Sequence, residues 1–241
     1  MDETLHSSIR ERYLQILEQI AEAAAGSKRI PEAVHLVVVS KSQPLEVVRA
    51  AIAAGVTTFG ENYAEEAVSK MAALQETAVE WHMIGHVQGR KAGLIAENFA
   101  MLHSLDSLKL AERLDRLCGE RKRTLPVLLE ANVSGEESKF GFPAWEEKSW
   151  PDLGPDIEQI LTLFHLSVRG LMTMPPFFDD PERTRPYFQR LRRVQEFLGK
   201  RYSQTEWQEL SMGTSQDFMI AVEEGATLVR VGQAILGPRS R

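Results

Sequence analysis

The chain has one cysteine, Cys118, which excludes an intramolecular disulfide and a cysteine-built zinc site. It has no apolar stretch near the ~20 residues that a membrane-spanning helix needs. Its opening residues include Asp2 and Glu3, and form neither the basic nor the apolar segment of a secretion signal. Positive charge is not in excess. Against 28 Lys and Arg stand 34 Asp and Glu, a formal net charge of -6, which argues against a general nucleic-acid binder. These absences point to a cytoplasmic protein with no membrane and no nucleic-acid partner. No exposed apolar stripe is evident either, so a monomer is the expected state.

What is present is a globular composition, 43% hydrophobic and 26% charged, which excludes disorder as the default. A chain of 241 residues can bury one large core, and we expect a single domain over residues 1–241. Leu5, Ile9, Tyr13, Ile16, Leu17 and Ile20 recur at helical spacing, and Gly26 follows as a stop, so residues 1–26 form a helix with one packed face. After it, strand and helix patterns alternate. Strands are expected at 36–40, 57–60, 80–84, 101–105, 126–133, 168–172, 209–212 and 227–231. Helices are expected at 45–54, 62–76, 88–97, 107–121, 156–165, 182–200 and 216–224. A doubly wound open sheet would give the same alternation, but eight such units in this length favour closure. The expected fold is α/β: a single (β/α)8 TIM barrel with an extra N-terminal helix.

Lys41 stands at the carboxyl end of the run Leu36-Val37-Val38-Val39-Ser40. A continuous β-branched run reads as a strand buried on both faces, and a charged amine at its end is costly without a task or a route to water. In a barrel, that end is where chemistry is kept. Partial desolvation would free a neutral amine for Schiff-base formation, whereas the bland reading is an ammonium that snorkels to the rim.

The stretch Leu210-Ser211-Met212-Gly213-Thr214-Ser215 ends a strand in small and hydroxyl-bearing residues before a helix. By itself it reads as an ordinary cap. The next strand, however, ends Arg230-Val231-Gly232-Gln233, again with Gly just past it. Loops after strands seven and eight are the usual phosphate-binding pair of barrels, so together the two segments read as an anion cradle. Arg230 could pair with a carboxylate, or donate to a ligand acceptor such as a pyridine nitrogen. An amine on the first strand, a cradle on the last two and an Arg are the parts that hold pyridoxal 5′-phosphate (PLP).

Further motifs stand in order along the chain: Val-Ser-Lys at 39–41, Phe-Gly-Glu-Asn-Tyr at 59–63, His-Met-Ile-Gly-His at 82–86, Ser-Lys-Phe-Gly at 138–141, Arg-Gly-Leu-Met at 169–172, and the two segments above. In these the chain resembles the pyridoxal phosphate homeostasis proteins, across nearly all of its length after the first helix. It departs from their pattern at Gln88-Gly89-Arg90-Lys91 and at Thr214. The resemblance implies a barrel like the N-terminal domain of alanine racemase. It implies that Lys41 carries PLP, that Ser211, Thr214, Ser215 and Gly232 surround the phosphate, and that Arg230 faces the ring nitrogen. Gly213 belongs with the cradle as the residue that lets the backbone approach. Asn62, Asn132 and Met172 would line the ring pocket.

Several signals have bland readings. The segment 134–155 has little periodicity but carries Phe140, Phe142, Trp145 and Trp150, so it is either a lid or an aromatic plug on the rim. His82 and His86 lie on a strand and the turn after it, which does not place them on one face, so no metal site is expected. The Arg-rich stretch 183–193 reads as a solvated helix face. Cys118 falls in a helical pattern with Leu110, Leu114 and Leu117, and reads as a buried thiol.

Three functions fit the barrel: a PLP carrier, a PLP-dependent racemase-like enzyme, or an aldolase or phosphosugar barrel without cofactor. A racemase needs a further β-rich domain bearing a Tyr acid/base, and no such unit follows the eighth strand here. A guanidinium at the ring nitrogen also weakens the ring as an electron sink. The expectation is a carrier of PLP for PLP-dependent apo-enzymes, with no catalytic residues of its own.

Overall fold

The computed structural model describes residues 3–74 and 78–238. Its strands are β1 (His35–Val39), β2 (Thr58–Glu61), β3 (Glu80–Met83), β4 (Met101–Leu105), β5 (Leu125–Asn132), β6 (Phe142–Pro143), β7 (Leu166–Met172), β8 (Glu209–Thr214) and β9 (Leu228–Val231). Strands β1 to β4 pair in sequence and parallel, β4 pairs with β5, β5 with β7, β7 with β8, β8 with β9, and β9 with β1. That closes an eight-stranded parallel barrel, as the alternation predicts. The ninth, β6, pairs among the described residues with the carboxyl end of β5 alone.

The helices follow the strands: α2 (Leu45–Ala53), α3 (Ala64–Ala73), α4 (Ala92–Asn98), α5 (Leu108–Glu120), α6 (Gly154–Leu161), α7 (Arg185–Arg201), α8 (Phe218–Glu223) and α9 (Gln233–Leu236). They surround the barrel, and the main core lies between strands and helices. The opening helix, α1 (Glu3–Gly26), buries Ile9, Ile16 and Ile20 against α2, α8 and α9. Each such isoleucine contributes about 1.5–3 kcal/mol by leaving water. Arg12 Nε donates to the Ile235 carbonyl at 2.7 Å, and the guanidinium of Arg29, just past α1, to those of Val222 and Ala226, so α1 and the turn after it tie down the last elements described. Cys118 is buried on the inner face of α5.

Boundaries differ from expectation by up to four residues, as where the helix expected at 156–165 spans Gly154–Leu161 and the one expected at 182–200 spans Arg185–Arg201. The helix expected at 62–76 spans α3 only, and positions 75–76 lie outside the described residues. Residues expected as one helix at 88–97 divide into a 3-10 turn, Gly89–Lys91, and α4. The segment 134–155 is not bare loop. It holds β6 and a seven-residue 3-10 helix, Glu147–Leu153, which buries Trp150. Among the described residues, no helix is long and apolar enough to cross a membrane.

Inside the barrel the packing is half polar. Val37, Leu128, Met172 and Leu228 form an apolar cluster. Beside it lie buried His82, His103, Ser211 and Arg230, where barrels mostly place branched aliphatics.

Candidate functional site

Most of the residues singled out from the sequence gather at the carboxyl rim, with Met172, Ser211 and Arg230 buried inside the barrel. Lys41 is the second residue past β1, and Asn62 is the first past β2. Asn132 and Met172 end β5 and β7, Thr214 ends β8, and Gly232 follows β9. In-register pairing of Val38 with Val231 and Val37 with Arg230 brings the Lys41 strand beside the Arg230 strand. A Cβ on Gly232 would stand 2.8 Å from the Val39 carbonyl oxygen, so only glycine permits this approach two residues from Lys41.

Lys41 is partly buried and is flanked by a clamp that sequence reading missed. Ser40 donates its amide N–H to the Gly60 carbonyl at 3.1 Å and its hydroxyl to Glu61 Oε1 at 2.8 Å. Lys70 Nζ donates to the Ser40 carbonyl at 2.6 Å, and to Glu61 Oε1 and Glu66 Oε1 at 2.7 Å each. Ser42, in the left-handed region at φ 56°, donates its N–H to Glu66 Oε1 at 2.7 Å. Both neighbours of Lys41 are therefore fixed through one buried ion cluster. Burial pushes the Glu61 carboxyl up, against the opposing pull of Lys70 and Ser40. The available signal was Glu66 and Lys70 at helical i,i+4 spacing, but nothing local says that Lys70 turns inward.

The cradle is built by the turn after β8 and the end of β9. Gly213 has φ 90°, and a Cβ there would lie 2.5 Å from Ala221 Cβ. Asp217 Oδ1 accepts both the Thr214 N–H at 2.6 Å and the Thr214 hydroxyl at 3.0 Å. The turn is thus capped from within, which sequence reading did not anticipate: Thr214 is already engaged. Gly232 donates its N–H toward Ser215 Oγ at 3.4 Å and links the two loops.

Arg230 is 3% exposed. Among the described residues it forms no hydrogen bond with a carboxylate. Its Nη1 donates to Ser211 Oγ at 2.5 Å, and its Nη2 to the Thr173 carbonyl and Met174 Sδ at 2.9 Å each. Burial lowers it to about 10, with Asp217 and Glu130 pulling the other way, so it stays cationic at neutral pH. Ser211 also meets His103 Nδ1 at 2.8 Å, and His103 Nε2 meets His82 Nδ1 at 3.0 Å. The His82–His103 contact spans 21 residues of sequence, and only the middle position of each residue in a buried strand hinted at it.

Of the remaining expectations, Asn62 contributes a buried Oδ1 that has no hydrogen-bond partner among the described residues. Asn132 instead uses its Oδ1 to accept the N–H groups of Ser134 and Gly135, and its Nδ2 to donate to the Glu136 carbonyl. Met172 is sealed in the interior cluster beneath the rim. His82 and His86 diverge: His86 pairs with Asp106 at 2.9 Å and stacks on Phe140 with ring centroids 3.7 Å apart. Phe140 and Trp145 stay exposed while Phe142 and Trp150 are buried, so the 134–155 segment is part plug and part open rim. The Arg-rich stretch is a solvated ion network, in which Arg185 holds Glu182, Glu223 and Glu224.

Glu130 is a further group that sequence reading missed. Desolvation and then the neighbouring Asp106 push its carboxyl up to about 7, although Arg230 opposes.

Known proteins match this architecture along its length. The alanine racemase N-terminal domain family matches residues 16–240. A pyridoxal phosphate homeostasis protein of Pseudomonas aeruginosa is 40% identical over 97% of this chain and 96% of its own. One from Aquifex aeolicus is 37% identical over 95% of this chain and 97% of its own. A solved structure of PipY from Synechococcus elongatus with PLP bound superposes with a TM-score of 0.78, at 36% identity, over 90% of this chain and all of that one. The chain therefore belongs to the alanine racemase N-terminal domain family and, within it, to the pyridoxal phosphate homeostasis proteins.

Proposed function

We propose that this chain binds PLP at the carboxyl rim of its barrel, as a Schiff base on Lys41, and serves as an intracellular carrier of the cofactor. One observation carries the reading: a buried, cationic Arg230, with no carboxylate hydrogen bond among the described residues, lies one strand from Lys41. The orphaned Asn62 Oδ1 and the glycine-walled turns at Gly213 and Gly232 fit a planar ring with a phosphoryl tail. When bound, the cofactor would supply an aldehyde, and Lys41 would supply the amine able to hold it. Thr214, Ser215 and Gly232 would surround the phosphate with Ser211 behind them, Arg230 would face the ring nitrogen and Asn62 the ring, while Asn132, bonded into its own turn, and Met172, packed beneath the rim, would support the ring pocket from behind.

Carriage is favoured over turnover by the charge of Arg230. A guanidinium at the ring nitrogen opposes protonation there and so restrains carbanion chemistry. The relatives named for PLP homeostasis also match this chain along 96–97% of their own length. The reading extends to a cytoplasmic monomer that passes PLP to PLP-dependent apo-enzymes.

The test is the visible spectrum of the purified protein. We expect a yellow protein, borohydride reduction that leaves a pyridoxyl group on the peptide bearing Lys41, and a colourless Lys41→Ala variant. A protein that stays colourless when soaked in PLP and yields no adduct overturns the site. Racemisation of an amino acid at enzyme-like rates overturns carriage while leaving the site intact.

A further inference from the structure

The middle of the barrel holds four polar side chains in a row, Arg230, Ser211, His103 and His82, on β9, β8, β4 and β3, of which His103 and His82 have no part in the proposed rim binding. Their hydrogen-bond directions follow from chemistry. A guanidinium has only donors, so Ser211 Oγ must accept from Arg230 and spend its own proton elsewhere. Among the described residues the only other partner on that oxygen is His103 Nδ1, which therefore accepts. A neutral imidazole that accepts at Nδ1 carries its proton on Nε2. That proton is donated to His82 Nδ1, so His82 in turn carries its proton on Nε2.

His82 Nε2 points to Glu80 Oε2 at 3.7 Å, at the amino-terminal floor. A cavity of about 310 Å³ opens there, lined by His35, Thr58, Glu80, His82 and Glu209 among others. Every proton in the row thus points from the rim to the floor, because its head can only donate.

We infer that Ser211, His103 and His82 are positioning residues that fix the side chain of Arg230 against the cofactor ring through a one-way hydrogen-bond relay across the barrel. This rests on the proposed PLP site and adds to it the interior residues that set the ring-nitrogen contact. Three of the five guanidinium N–H groups are taken by Ser211, Thr173 and Met174, which leaves Nε–H and one Nη1–H for the pocket. Without a Ser211 oxygen held in place by His103, that pair would lose its direction.

The charged and titratable groups facing the relay are Arg230 and its neighbours Asp217 and Glu130 at one end, and Glu80 and His35 at the other. Burial keeps both imidazoles neutral at physiological pH, with His82 pushed down to about 4 and His103 well below its usual value. The relay should therefore hold one proton arrangement from pH 5 to 8.

Two measurements test this. In the apoprotein, nitrogen-15 spectra of the imidazoles should show Nδ1 unprotonated and Nε2 protonated for both His82 and His103 between pH 5 and 8. An Nδ1–H tautomer of His103, or an imidazolium at pH 6, overturns the relay without reference to the cofactor. In the PLP-loaded protein, His103→Leu should move the absorption maximum of the bound cofactor and make it vary with pH. It should also raise the PLP dissociation constant about tenfold, the scale of one lost hydrogen bond to a charged group.

His103→Gln, whose amide can accept at oxygen and donate at nitrogen, should restore the wild-type spectrum. A loaded His103→Leu protein with unchanged spectrum, pH profile and affinity overturns the inference. Failure of the wild-type protein to bind PLP at all overturns the site instead.

Discussion

The ammonium of Lys70 donates to the backbone carbonyl of Ser40 at 2.6 Å, and so holds the residue next to Lys41 from behind. The same nitrogen neutralises Glu61, whose side chain is completely buried. Lys70→Met would leave that carboxylate without its cation. Removing one partner of a buried pair costs about 3–5 kcal/mol. We expect a loss of that size in urea unfolding, much of it recovered in the Lys70→Met/Glu61→Gln double variant. A change below 1 kcal/mol in the single variant would mean that Glu61 is protonated and the clamp is not ionic.

Glu130 should make stability depend on pH. Its folded value is about 7 against an ordinary 4.5, so between those limits the folded chain binds more protons than the unfolded. Stability then falls as pH rises through this window, with the loss complete above pH 7. At 1.36 kcal/mol per pH unit the loss amounts to about 3 kcal/mol. Glu130→Gln is expected to raise the melting temperature at pH 8 and leave it unchanged near pH 4. Equal shifts at both pH values would assign the effect to packing.

Gly213→Ala combines two penalties. Its backbone sits at φ 90°, and the new Cβ would press on Phe218 Cα at 2.9 Å and on Ala221 Cβ at 2.5 Å. Strain of this kind costs about 1–3 kcal/mol. The variant should bind inorganic phosphate and PLP more weakly, while its circular dichroism spectrum stays that of a barrel. Unaltered affinity by titration calorimetry would remove the turn after β8 from the site.

Two tryptophans in one segment should behave differently. Trp150 is 3% exposed, packs on Phe197 and donates its indole N–H to the Ala144 carbonyl. Trp145 is 40% exposed. Trp150→Ala is expected to cost about 3–5 kcal/mol in thermal unfolding, and Trp145→Ala less than about 0.5 kcal/mol. Similar losses would mean that the whole segment is a plug. Resistance of the Trp145 side to proteolysis with and without PLP would speak against a moving lid.

The barrel was legible in the sequence because parallel strands buried on both faces leave continuous apolar runs, as in Leu36-Val37-Val38-Val39. The rim residues were legible too, since Lys41, Gly213 and Gly232 follow such runs directly. Helix ends were less so. The division at 88–98 turns on local backbone geometry that apolar spacing does not encode.

Local pattern by itself determined the order of strands and helices, the strand ends that carry Lys41 and Arg230, and the absence of a disulfide framework. Only the closed barrel decided which polar groups meet inside it. Ser211 reaches His103 across 108 residues, and Arg230 reaches Thr173 across 57. The partner of a buried donor depends on strand register and barrel curvature, which bring distant residues within 3 Å of each other and have no signature in short-range spacing.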